Sequence, residues 1–221
     1  MKRSFLFLLL LLIPVTISSG EGRNSSSTGS LYYPVSKTKT LIYQTSFGES
    51  STKYTFESGL VLSSNESDNF KYRQKLLITD DGVFVKETYQ YLKIFLFIKK
   101  EAAYSYNKPL MRLPLPLTPG KDWKWTGIEY CNGDSSDISV TGKVFNKEMI
   151  STKAGNFETI KVETVIEGSS NSKNTLTEWY AEGIGLIKAI IIIDGSGIMG
   201  LVKNLLGYGK LEFELKEIRN N

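Results

Sequence analysis

The chain contains no histidine and one cysteine, Cys131, among its 221 residues. Without histidine it lacks the usual neutral-pH base and the commonest nitrogen ligand for zinc. A single cysteine permits no intrachain disulfide. Beside a turn it reads as an inert thiol, with an intermolecular bridge or a reactive role as the alternatives. A large excess of one charge is missing too: 27 Lys and Arg stand against 23 Asp and Glu, a formal net charge of +4, two units of which belong to Lys2 and Arg3. No sustained basic stripe follows, which sets aside a nucleic-acid partner.

Long apolar runs are also missing. The stretch from Phe5 to Val15 falls short of the about 20 residues of a transmembrane helix. It lies instead between a basic start and the small residues near Ser18 to Gly20, the order of a secretory signal. Residues 1–20 are therefore expected to be a cleaved leader, with export to the periplasm or the extracellular space, and a peripheral place at the outer membrane among the locations this allows. No cysteine follows the leader, so a lipid-modified amino terminus is not supported. Residues 21–30, rich in Ser, Gly and Asn, read as a flexible linker. The remainder, 31–221, reads as a single β-rich domain. A weak echo between Tyr33-Pro-Val and Pro119–Trp125 suggests related halves, 31–108 and 109–221.

What is present is alternation. Thr40 to Phe47 and Lys53 to Glu57, with Val61 as an extension, read as strands around a turn at Gly48-Glu-Ser-Ser. Phe70–Thr79 and Val83–Tyr89 are joined by Asp80-Asp-Gly, a hairpin signal. Aromatic and β-branched content favours a strand over a helix at Gln90–Lys100. Pro109, Pro114, Pro116 and Pro119 withdraw ladder donors, so that passage should cross an edge or the end of a sheet. A second meander follows through Lys121–Tyr130, Ser136–Phe145, Lys147–Lys153, Phe157–Ile166, Leu176–Tyr180 and an apolar strand from Leu186. Ile198, Leu201, Val202, Leu205 and Leu206 share one helical face and predict a short amphipathic helix bounded by glycines. Lys210–Ile218 closes the chain as a strand.

Motifs for chemistry are weak. Gly195, Gly197 and Gly200 have dinucleotide-loop spacing without the βαβ context that would follow. Asn132, Asp134 and Asp137 are a fragment of a calcium loop without its terminal glutamate, so no metal site is assigned. Glu178 and Glu182 flank Trp179-Tyr180 and offer a carboxylate pair beside an aromatic wall, the arrangement of a carbohydrate hydrolase. No catalytic residue and no cofactor is assigned. The excess of apolar and aromatic groups reads either as core or as a hydrophobic-ligand cleft. The residues that would line that cleft are Phe95, Phe97, Met111, Trp123, Trp125, Trp179, Tyr180, Ile198, Leu201, Val202 and Leu205, with residues 197–206 as a lid.

Three segments carry a resemblance: Pro114–Trp125, the strand from Ala154 to Val162, and above all Glu178-Trp-Tyr-Ala-Glu-Gly-Ile-Gly-Leu-Ile-Lys188. With Tyr32-Tyr-Pro-Val-Ser-Lys and Thr40-Leu-Ile-Tyr they are similar to an uncharacterised family of secreted bacterial envelope proteins, known as domains of unknown function. The resemblance implies a curved antiparallel sheet, distantly similar to the half-barrels of periplasmic lipoprotein carriers, in which helices cover an apolar cleft. Trp179, Tyr180, Gly183, Gly185 and Lys188 carry over as a structural signature only. The expected fold is thus mainly β, a half-barrel or open barrel with a short helix near the C-terminus. The expected function is a noncatalytic envelope protein binding a lipid or other hydrophobic small molecule. The alternatives are a structural component with an envelope protein partner and, more remotely, the hydrolase.

Overall fold

The computed structural model of the protein describes residues 31–94, 98–168, 172–194 and 209–221. Alternation with period two dominates them, because successive side chains of an extended backbone leave opposite faces. In chain order the strands are β1 (Lys39–Thr45), β2 (Gly48–Glu57), β3 (Leu60–Glu66), β4 (Phe70–Thr79), β5 (Gly82–Ile94) and β6 (Ile98–Pro114). They continue with β7 (Asp122–Cys131), β8 (Asp134–Thr152), β9 (Gly155–Gly168), β10 (Lys173–Ala181), β11 (Gly185–Asp194) and β12 (Lys210–Asn220). Neighbours in sequence pair antiparallel, and β12 returns to pair with β1, so the sheet closes into a barrel.

The expected half-barrel or open barrel is therefore corrected to a closed barrel, with twelve strands among the described residues. Closure rests on pairs such as Thr40↔Arg219 and Tyr43↔Leu215, which join the two ends of the described chain. Alternation orients each strand but does not name its partner, so it left the seam invisible. No α-helix occurs among the described residues, which corrects the sheet-plus-helix architecture. The helix expected over Ile198–Leu206 falls outside the described residues, as do the leader over 1–20 and the linker over 21–30. Strands from both sides of residue 108 enter one barrel, and β6 itself crosses that position.

Two turns sit elsewhere than expected. The first reversal is at Ser46-Phe47, with Thr45 paired to Gly48, so Gly48–Ser51 is already strand. The second is at Ser58-Gly59, where both residues have positive φ (50° and 77°), the backbone of a tight hairpin whose twist matches its strands. Val61 thus begins a new strand rather than extending the old one.

The prolines are also handled differently. β6 runs through Pro109 to Pro114 in a barrel wall, where an edge or end was expected. It tolerates Pro109 by bulging. Glu87 pairs with Ser105 and Val85 with Leu110, so residues 106–109 stand opposite Lys86 alone. On its other side, regular pairing with β7 covers only Tyr104–Tyr106. Beyond it, side chains bridge the strands: the Ile128 amide donates to Asn107 Oδ1 at 2.9 Å, and Trp125 Nε1 donates to the Pro109 carbonyl at 3.0 Å.

The outer face belongs in water. Ion pairs such as Arg73–Glu66, Lys75–Glu87, Lys161–Glu163, Lys173–Glu167 and Lys188–Glu214 lie around it at 2.6 to 3.3 Å. Each contributes little to stability. Together they occupy positions that a membrane-spanning barrel would give to an apolar band. Among the described residues no helix is long and apolar enough to cross a membrane.

Candidate functional site: the barrel interior

Register defines which side chains meet inside. From β8 to β12 the inward set is mostly apolar, with Val140, Val144, Val162, Ile166, Leu176, Ala189, Ile191, Leu211, Phe213 and Leu215 all buried. β8 and β12 come within 8 Å of each other between Cα atoms although three strands separate them around the wall. That approach is below the spacing of two packed sheets, about 10 Å, so the barrel narrows where those two strands meet.

The wall from β2 to β7 differs. Pairing aligns Thr52 with Asn65, Asn65 with Tyr72 and Tyr72 with Gln90, and beside them Ser63 with Gln74, Gln74 with Thr88 and Thr88 with Tyr104. Opposed residues on one face stand about 4.5–5.5 Å apart, so these side chains form one continuous polar belt. All are buried. Asn65 Nδ2 donates to Thr52 Oγ1 at 2.6 Å. Asn65 Oδ1, Ser63 Oγ and Gln74 Nε2 have no partner among the described residues. A buried polar atom left unpaired costs about 1–3 kcal/mol, so a run of them calls for an explanation.

Glu129 adds an acid to this belt. It faces inward on β7 opposite Tyr106, is 2 % exposed, and its Oε1 has no partner among the described residues. Burial pushes its carboxyl up to about 8, so it stays protonated at neutral pH. Burial likewise raises the phenols of Tyr104 and Tyr106, with Glu129 contributing to both shifts. Cys131, 5 % exposed beside Tyr104, has its thiol raised to about 11, chiefly by burial. The inert-thiol reading suits that environment.

A second polar group is complete in itself. Arg112 on β6 reaches to β10, where its Nη1 donates to Glu178 Oε2 at 2.9 Å, its Nη2 donates to Glu178 Oε1, and Nη2 also donates to the Tyr180 hydroxyl at 3.2 Å. Both charged residues are sealed, at 3 % and 0 % exposure. Burial opposes the Arg112 charge most strongly, but Glu178 and Tyr180 outweigh it and hold its pKa well above the ordinary value. Nearby, Tyr43 donates its hydroxyl to the Leu186 carbonyl, on the residue paired with Tyr180, at 2.8 Å.

The residues expected to line a cleft are scattered by this geometry. Tyr180 is inside, in the Arg112 group. Trp123 and Trp125 are buried and inward, each over a glycine: a Cβ on Gly142 would collide with the Trp123 ring, and one on Gly127 with Trp125. Trp179 points outward and donates its Nε1 to Glu148, while Met111 is half-buried on the outer face of β6. Phe95, Phe97, Ile198, Leu201, Val202 and Leu205 lie outside the described residues. So do the glycines at 195, 197 and 200.

The carboxylate pair does not assemble. Glu178 is locked inside by Arg112, whereas Glu182 is exposed at the β10–β11 turn. Neither can share a glycosidic bond with the other, which removes the geometric basis of the hydrolase reading. Asn132 and Gly133 form the β7–β8 hairpin turn with φ of 52° and 88°, so the calcium-loop fragment is a turn followed by strand. No group of potential metal ligands occurs among the described residues.

Sequence reasoning missed Arg112, Glu129, Asn65, Gln74 and Ser63. A signal existed for several of them. In Phe70-Lys-Tyr-Arg-Gln-Lys-Leu76 the alternation that buries Phe70, Tyr72 and Leu76 also buries Gln74, and in Val61-Leu-Ser-Ser-Asn65 it buries Ser63 and Asn65.

Comparison with known proteins gives one family and several solved structures. The family described as DUF3108-like matches residues 131–189, a span that contains Ala154–Val162 and Glu178–Lys188, two of the segments that carried the resemblance, while Pro114–Trp125 and the early Tyr32–Lys37 and Thr40–Tyr43 lie outside it. No curated protein matches the chain. Among solved structures, a Parabacteroides distasonis protein provisionally described as a lipoprotein is similar at 12 % identity and a TM-score of 0.43, covering 86 % of this chain and 98 % of its own. The hypothetical lipoprotein YmcC of Escherichia coli K12 is similar at 12 % identity and a TM-score of 0.44, covering 81 % and 84 %. A Bacteroides fragilis protein provisionally described as exported, with a YmcC-like fold, is similar at 15 % identity and a TM-score of 0.38, covering 86 % and 99 %. Over residues 131–189, then, the chain is similar to an uncharacterised, DUF3108-like family.

Proposed function

We propose that the protein is an exported, noncatalytic binding barrel that encloses an amphipathic ligand of the lipid class. The leader-like order of residues 1–20 and the water-compatible outer face support export into an aqueous envelope compartment. One observation carries the binding reading. A barrel of about eight strands is just filled by its own side chains, whereas this one has a twelve-stranded circumference and an interior divided into an apolar wall and a polar belt with unpartnered atoms. An amphiphile suits both walls at once. Its chain would lie against the β8–β12 side chains and its polar end against the belt.

Native mass spectrometry of the mature protein, purified from its own envelope, tests this. A one-to-one adduct of lipid mass, released and identified on denaturation, is the expected result. An unliganded mass, together with no uptake when the protein is mixed with envelope lipid extract, overturns it. The structural reading then gains, and the overhanging ends of β8 and β9, where Met149 is 65 % exposed, offer it a surface.

A further inference from the structure

We infer that the belt on β3 and β4 is a recognition site for an uncharged, hydroxyl-bearing head group such as a sugar or polyol, built from Ser63, Asn65 and Gln74. This rests on the amphiphile reading and deepens it by specifying the polar end.

Complementarity carries the argument. The three side chains place buried, unpartnered atoms of mixed character on neighbouring positions of one face: an amide nitrogen at Gln74, an amide oxygen at Asn65 and a hydroxyl at Ser63. A hydroxyl both donates and accepts, so a group carrying several can satisfy all three, whichever way the two amides are turned. Fixed charges fit less well. An ammonium accepts nothing from Gln74 Nε2, and the nearest candidate counter-charge along the wall, the Glu129 carboxyl, is held neutral by burial with no cation acting on it among the described residues. An anion finds no cation either, since Arg112, the one buried cation among the described residues, is committed to Glu178. Tyr72 and Tyr104 stand in the same belt, opposite Asn65 and Thr88, and supply aromatic surface of the kind on which the C–H face of a sugar ring packs.

Probes with a common tail separate the head from the chain. The mature protein, stripped of lipid, is titrated calorimetrically at pH 7 with n-octyl β-D-glucoside, octylammonium and octyl sulfate, each below its micelle threshold. The glucoside is expected to bind at least about tenfold more tightly than either charged probe, since a mismatched head leaves buried polar groups unpaired. Gln74→Leu and, separately, Ser63→Ala are expected to weaken the glucoside about tenfold and leave the charged probes unchanged. The unfolding midpoint of each variant shows that the barrel is intact, and the milder Ser63→Ala keeps the test open if Gln74→Leu fails to fold. Equal binding of all three probes would overturn the head-group site while leaving the amphiphile reading standing, because the tail alone would then account for affinity. A preference for octylammonium would also overturn it, by showing an ionised Glu129. Failure of every probe, with a lipid-free mass from the native source, would take both readings down together.

Discussion

Replacing Glu129 with glutamine isolates what an ionisable group costs inside the barrel. Burial raises this carboxyl from 4.5 to about 8. The folded protein therefore keeps a proton that the unfolded chain releases above about pH 4.5. Where the native state binds more protons, stability falls as pH rises, so the loss accumulates from about pH 4.5 and levels off above about pH 8. At about 1.4 kcal/mol per pH unit the full penalty is at most about 5 kcal/mol. Water entering when the carboxylate ionises lowers it to about 2–4 kcal/mol. Glutamine has the shape of the neutral acid and no proton to lose. Glu129→Gln should match the parent protein near pH 5 and exceed it by about 2–4 kcal/mol at pH 8.5. Urea unfolding of ligand-free protein, followed by tryptophan fluorescence and far-ultraviolet circular dichroism, measures this directly. With a slope near 2 kcal/mol per M, the midpoints should separate from near zero to about 1–2 M across that range. A gap that does not change with pH would refute the reasoning, since it would mean that Glu129 is already ionised inside the folded barrel.

Further outcomes follow from the same interior. Arg112→Met leaves the Glu178 carboxylate buried without its partner and should cost about 3–5 kcal/mol by urea unfolding, while the double variant Arg112→Met/Glu178→Leu recovers most of that loss. A single variant within about 1 kcal/mol of the parent would show that the pair is not sealed. Gly142→Ala forces a methyl into the Trp123 ring and should destabilise by about 1–3 kcal/mol, a fall in Tm of about 2–12 °C with altered tryptophan emission. An unchanged Tm would place Trp123 elsewhere. The Cys131 thiol, buried and raised to about 11, should react with an aromatic disulfide reagent at pH 8 at least about a hundredfold more slowly in the native protein than in urea. Equal rates would contradict its burial.

Much of the wall was legible because alternation is a local property. Phe70–Thr79 and the terminal strand from Lys210 were readable from their own residues, since period two assigns each side chain a face without reference to any other strand, and the strand from Leu186 was readable as a continuous apolar run. Boundaries failed where backbone conformation overrode composition. Gly48 begins a strand that looked like a turn, and Ser58-Gly59 is a turn inside what looked like one strand. Pro109 looked like a strand breaker and is absorbed by a bulge, which depends on β5 and β7 being there to bridge around it.

The site was less legible, and the reason is distance along the chain. Glu178 was noticed for its aromatic neighbours and paired with Glu182, four residues away, yet its partner is Arg112, 66 residues away across the interior. The sequence by itself determined a leader-like start, a β architecture, the faces of most strands, and the exclusion of histidine chemistry and intrachain disulfides. Only the tertiary structure decided that β1 meets β12, that the sheet therefore closes, and that Ser63, Asn65, Gln74 and Glu129 share one wall. Alternation specifies which way a side chain points. The register between strands, set by closure of the whole barrel, specifies what it points at.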